Sequence, residues 1–156
     1  MVLKHFNPLI SADLMRVMMT MGHGDEIVFA DRNFPAVSRN GTVIPYNGVS
    51  IQPLLHAVLY HLPVDYAVRN PAFMMRIPED SDYRGNACGD YQRILDTYHE
   101  QHVDIGYLER HDFYERASRA YAVVTTGETE RFANIIIRKG IVRIGEEDYR
   151  YDQNAD

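Results

Sequence analysis

The apolar residues of this chain change period again and again, from helical spacing to short β-branched runs and back, and that alternation restricts the folds open to it. Ser11 can cap a helix whose apolar positions are Leu14, Val17, Met18 and Met21, with Gly22 and Gly24 ending it. Glu26–Ala30 then reads as a buried strand closing at Asp31. Residues 32–49 hold Pro35, Gly41, Pro45 and Gly48 and read mostly as loop, with Thr42–Ile44 a short strand candidate. Ser50 starts a second helix through Leu54, Leu55, Val58 and Leu59, stopped before Pro63. Ala72–Ile77 is strand-like and Pro78–Gly89 a polar exposed loop. Asp90–His102 is an amphipathic helix carrying Tyr91, Ile94, Leu95 and Tyr98, and Asp104–Leu108 is again strand-like. Asp112 can cap a helix from Phe113 to Ala120, and Tyr121–Thr125 and Asn134–Ile137 complete the strands. This order predicts an α/β fold: a single-domain, Rossmann-like sandwich with a largely parallel sheet and helices on both faces.

Size and charge narrow the function classes. The 156 residues suit one domain, with no repeat or linker, so residues 1–142 form the domain and 143–156 an acidic, polar extension of it. The net charge of −6 and the lack of any Lys/Arg run exclude a nucleic-acid surface. Cys88 is the single cysteine, so no internal disulfide forms, which fits a reducing compartment. Met1–Ile10 lacks an apolar stretch of signal-peptide length, and no run approaches the ~18 apolar residues of a membrane span. A cytoplasmic protein with no membrane partner is expected. Eleven tyrosines and seven histidines stand against no tryptophan; tyrosine suits a sugar, but it also fills cores and interfaces.

Three segments carry chemistry. In Gly22-His23-Gly24-Asp25-Glu26 a histidine stands between two glycines beside a carboxylate, and a strand leads on to Asp31. The glycines leave the imidazole unshielded, and histidine exchanges protons near neutrality; a helix-capping histidine is the plainer alternative. In the second segment Thr125, Thr126, Gly127 and Glu128 follow a strand directly, where open α/β sheets bind ligands. Asn134 follows, with a donor and an acceptor for a hydroxyl, or simply turn chemistry. In the third, Glu109–Arg116, Arg110 could clamp a sugar hydroxyl or hold a carboxylate, while Tyr114, Glu115 and Arg116 could equally be a solvated face or a subunit contact. His99-Glu100-Gln101-His102 falls one residue short of the metalloprotease spacing, and no metal site is expected. Gly22-His23-Gly24 lacks the rest of either nucleotide-binding glycine fingerprint, and the methionine clusters read as core.

Taken together, these segments resemble the ribose pyranase / fucose mutarotase (RbsD/FucU) family, and more closely its fucose branch. The resemblance rests on Pro8–Ser11, the Gly22–Glu26 run ending at Asp31 and Phe34–Ala36, Phe113–Ala117, Thr126–Glu128, Asn134–Ile136 and Lys139-Gly140. It implies an RbsD-like fold, interconversion of the α and β anomers of a monosaccharide such as L-fucose or ribose, and no cofactor. It implies His23 as catalytic proton donor, Asp31 and Arg110 as substrate-binding residues, and Phe132, Ala133 and Asn134 as a substrate-binding stretch that usually begins with tyrosine. Asp25 and Tyr114 are secondary candidates. It further implies a ring-shaped homo-oligomer, often a decamer, with sites near subunit boundaries. Phe132 lacks the usual phenol, so a sugar-binding protein without turnover is the alternative function.

One constraint follows from chain length. His23 and Asp31 are separated by a strand that spans ~26 Å when fully extended, too far for one monosaccharide. Either the chain folds back around Gly24 or the site draws its residues from two subunits, and the second arrangement is favoured.

Overall fold

The computed structural model describes residues 3–99 and 101–142; the extension at 143–156 lies outside them. Ser11 acts as expected, its Oγ accepting from the Leu14 N–H at 3.2 Å to open α1 (Ala12–Thr20). The elements then run β1 (Glu26–Ala30), α2 (Ala36–Arg39), β2 (Val43–Tyr46), α3 (Ile51–Leu59), β3 (Ala72–Met75), α4 (Ala87–Tyr98), β4 (Ile105–Leu108), α5 (Arg110–Arg119), β5 (Ala122–Thr126) and β6 (Ile135–Arg138). The six strands form one sheet in the order β2-β5-β1-β6-β3-β4. Five of them point the same way; β6 runs antiparallel to both of its neighbours, β1 and β3.

Strand residues alternate between two cores, as the pleat requires. Ile27, Phe29, Val124, Ile135 and Ile137 face a core closed by α1, α3 and α4. Val28, Ala30, Val123 and Ile136 face a smaller one closed by α2 and α5, with Phe34 and Phe113 at its centre. Helices therefore cover both faces, and the continuous apolar runs of β1, β5 and β6 are those of strands buried on both sides.

Several boundaries differ from expectation for identifiable reasons. Residues 32–49 are not all loop, because α2 makes one turn after Pro35. The helix expected from Phe113 begins at Arg110 with Glu109 at its N-cap, so Asp112 lies in the first turn, where its charge suits the helix dipole, and caps nothing. The loop from Pro78 ends at Asn86, since Ala87 is buried and already helical, and α4 stops at Tyr98 rather than His102. Ser50 precedes α3 without making a side-chain cap. Glu128, in the loop after the neighbouring strand β5, does that work, its Oε2 accepting from the Ile51 N–H at 3.3 Å.

Candidate active site

The antiparallel course of β6 decides which polar residues meet. Its first residue lies at the carboxyl ends of its neighbours, so Asn134, just before it, arrives beside Asp31, just after β1. The two side chains interlock: Asn134 Nδ2 donates to Asp31 Oδ2 at 2.9 Å, and the Asp31 N–H donates to Asn134 Oδ1 at 2.8 Å. The Asn33 N–H donates to Asp31 Oδ1 at 2.8 Å, and both side chains are buried. A carboxylate accepts about four hydrogen bonds and an amide NH₂ donates two, so each side chain keeps capacity for a ligand hydroxyl.

The neighbouring residues crowd the same end of the sheet. Ala133 is fully buried. Phe132 adopts φ +62°, a left-handed conformation that costs a bulky residue roughly 1–2 kcal/mol, and its ring meets that of Tyr83 at 6.1 Å. Tyr114 packs against Phe34 at 5.5 Å, three residues beyond Asp31, and the Arg110 guanidinium lies 5.7 Å from the Tyr114 ring. Arg110 and Tyr114 thus join the loop that follows β1.

Thr126-Gly127-Glu128 sits here as well, with a structural task. The Thr126 hydroxyl donates to the Ala30 carbonyl at 2.8 Å. Gly127 passes so close to residue 47 that a Cβ would meet the Asn47 carbonyl at 2.5 Å. Glu128 serves the start of α3, and Glu130 Oε1 accepts from the Ala87 N–H at 2.8 Å at the start of α4. The loop ties two helix N-termini to the carboxyl end of β5.

His23 lies at the opposite end of β1. The chain does turn at Gly24, whose φ of +88° suits a residue without Cβ, but the turn leaves His23 at the amino end. The imidazole is half exposed, and its Nε2 lies 3.2 Å from Asp65 Oδ2. The same Asp65 oxygen accepts from Arg138 Nε at 2.8 Å, while Oδ1 accepts from the Ala67 N–H at 3.1 Å. Burial alone would push the Asp65 carboxyl up; Arg138, the Ala67 N–H and His23 outweigh it and hold the group below its ordinary value. His23 is therefore no helix cap but one arm of a His23–Asp65–Arg138 cluster. Asp25 Oδ2 accepts from the Gly22 N–H at 2.7 Å, which braces the loop that carries His23. Beside it opens a cavity of about 390 Å³ lined by Asp25, Glu26, Tyr121 and the arginines Arg116, Arg119 and Arg138.

Sequence reasoning missed Asp65 and Arg138. Asp65 is 42 positions from its histidine, and only the pairing of Val64 with Lys139 draws it alongside. Three other histidines, including the His99–His102 pair, are engaged elsewhere. His99 contacts the Gln101 and Val64 carbonyls, His102 lies between Asp96 and Asp104, and His56 meets the Tyr98 hydroxyl. His111, Asp112 and Glu115 bring ligand atoms within 4.8 Å of one another on an exposed helix face, an arrangement acidic surfaces often show without an ion.

Residues 4–142 match the RbsD / FucU transport protein family. The chain belongs to the RbsD/FucU family. Its relatives include an L-fucose mutarotase of Haemophilus influenzae, 40% identical over 143 residues that cover 92% of this chain and 99% of the relative. Among solved structures, the fucose mutarotase of Streptococcus pneumoniae in complex with L-fucose is 42% identical with a TM-score of 0.85, covering 90% of this chain and all of that one. Bacillus subtilis RbsD complexed with D-ribose, 20% identical with a TM-score of 0.71, shares the fold over 91% of this chain. Family membership thus rests on nearly the whole described chain, and the match ends at Val142, where the description of the structure also ends.

Proposed function

We propose that this chain is a cytoplasmic monosaccharide mutarotase acting on L-fucose or a closely related sugar. The observation that carries the reading is an accessible imidazole held by a buried carboxylate, in a chain 42% identical to a fucose mutarotase over 90% of its length. Anomer exchange moves protons only: the anomeric hydroxyl loses one, the ring C–O bond breaks, and the ring oxygen gains one. Closure on the other carbonyl face reverses each step. His23 is the proton donor, with Asp65 fixing its ring through Nε2 and Nδ1 left to face the sugar. Asp31 and Asn134 hold sugar hydroxyls with their remaining lone pairs and N–H, next to Ala133 and Phe132, and Arg110 on Tyr114 orients the ring.

Because β1 separates His23 from Asp31, one chain supplies only half of such a site. We infer that the amino end of one copy meets the carboxyl end of another in a closed homo-oligomer, a ring or decamer, so that each interface builds a whole site. The charged cavity beside His23 gives that neighbour a place to seat. Asp25 then acts by bracing the histidine loop.

Saturation-transfer NMR on L-fucose and D-ribose at anomeric equilibrium tests the activity. Exchange well above the buffer rate with at least one sugar is expected. Exchange at the buffer rate with both, alongside retained sugar binding, would instead support a binding protein without turnover, the reading favoured by the missing phenol at Phe132.

A further inference from the structure

The mutarotase reading, on which this inference rests, leaves one role open: the base that accepts the anomeric proton. Phe132 has no acid or base to offer, and Asp31 and Asn134 already hold each other. One phenol lies against that stretch. The Tyr83 ring sits 6.1 Å from the Phe132 ring at an interplanar angle of 41°, with the Arg131 guanidinium 5.4 Å from both ring centres. The Glu130 carboxylate stands beside its hydroxyl: Tyr83 Oη and Glu130 Oε1 both border the space over Gly85. That carboxylate is itself fixed, since Glu130 Oε1 accepts from the Ala87 N–H at 2.8 Å. Gly85 leaves the room the pair needs: a Cβ there would collide with Glu130 Oε1 and stand 3.1 Å from Tyr83 Oη.

The other phenols nearby are placed differently. Tyr114 is flanked by the cations Arg39 and Arg110, at 5.2 and 5.7 Å from its ring. Tyr91 is buried in the core between α4 and the sheet. Tyr83 alone among these packs its ring on Phe132, in the substrate-binding stretch.

We propose that the Tyr83 phenol, backed by the Glu130 carboxylate and packed on Phe132, is the second proton-transfer group of this site. The phenol stays protonated at neutral pH, because burial and the Glu130 charge both push it up, so it acts as a relay. The anomeric O–H proton passes to Tyr83 Oη while the phenolic proton passes to Glu130. The electron pair of that O–H bond forms the carbonyl as the ring C–O bond breaks, and the pair released to the ring oxygen takes the proton of His23. Closure returns one proton to His23 and the other, through Tyr83, to the carbonyl oxygen. No proton is gained or lost, and no co-reactant is needed.

The test is Tyr83→Phe in the full chain, read by saturation transfer with L-fucose and by the dissociation constant for the same sugar. The exchange rate at saturating sugar should fall on the order of 100-fold while affinity changes less than about threefold. Adding Phe132→Tyr to that variant should recover at least about tenfold, because a phenol returns next to the same site. Gly85→Ala, which pushes Glu130 from Tyr83, should lower the rate in the same direction as Tyr83→Phe. An active wild type whose Tyr83→Phe variant exchanges within about twofold of it overturns the assignment, as does a loss confined to affinity. A wild type that exchanges neither L-fucose nor D-ribose overturns the mutarotase reading itself, which separates the two failures.

Discussion

The two ends of β1 are built on opposite terms. At the amino end, His23 is half exposed and braced by a buried carboxylate that also holds Arg138. At the carboxyl end, Asp31 and Asn134 are buried and satisfy each other through two hydrogen bonds. The first arrangement leaves one group free to move a proton on a rigid support. The second fixes geometry and keeps only residual hydrogen-bonding capacity for a ligand. On the proposed function, chemistry and recognition are divided along one strand, and a substitution should register differently at each end.

The largest contrast is expected from His23→Ala. It should lower anomer exchange by about 10²–10⁴-fold, the usual weight of one general acid, while thermal unfolding moves little because the side chain is half exposed. If unfolding shifts strongly instead, His23 is a structural residue and the contrast is lost. Asn134→Ala should do the reverse at the other end. It strips Asp31 of a donor and leaves the buried Asp31 N–H unpaired, costing about 1–3 kcal/mol by denaturant unfolding, with sugar affinity weakened.

Asp65→Asn is expected to act more weakly, costing about 1 kcal/mol because one acceptor oxygen remains for Arg138 and His23. Its pH dependence carries a sign. The native Asp65 carboxyl lies below its ordinary 3.8, so its stabilisation is complete above that value and is lost as pH falls through the lower native value. Wild type and Asp65→Asn should therefore differ in urea midpoint near pH 6 and converge in strong acid. A gap that persists unchanged in acid would show that the carboxylate charge contributes nothing.

How far these features were legible depends on the range of the interaction that makes them. Ser11 could be read because its cap lies three residues away, and β1 because its apolar run is buried on both faces. At α5 the sequence points to Asp112 as the cap, a turn inside the helix, because the N-cap Glu109 makes no side-chain bond that composition could reveal. Ser50 looked like a cap, yet the acceptor for α3 comes from Glu128, 77 positions away. Asp31 and Asn134 stood out individually, but their interlock needs the reversed course of β6. Asp65 and Tyr83 lie in stretches with no local period, and only tertiary packing gives them partners.

The central claim is that His23 of one copy and Asp31 of another complete a single site. Co-expression of His23→Ala and Asp31→Ala chains, each inactive alone, measures this directly through the exchange rate of the mixed assembly. With random mixing, about one quarter of the interfaces should pair an intact amino end with an intact carboxyl end, and anomer exchange should return to roughly that fraction of wild type. A mixed assembly that forms and remains at the buffer rate would contradict the shared site.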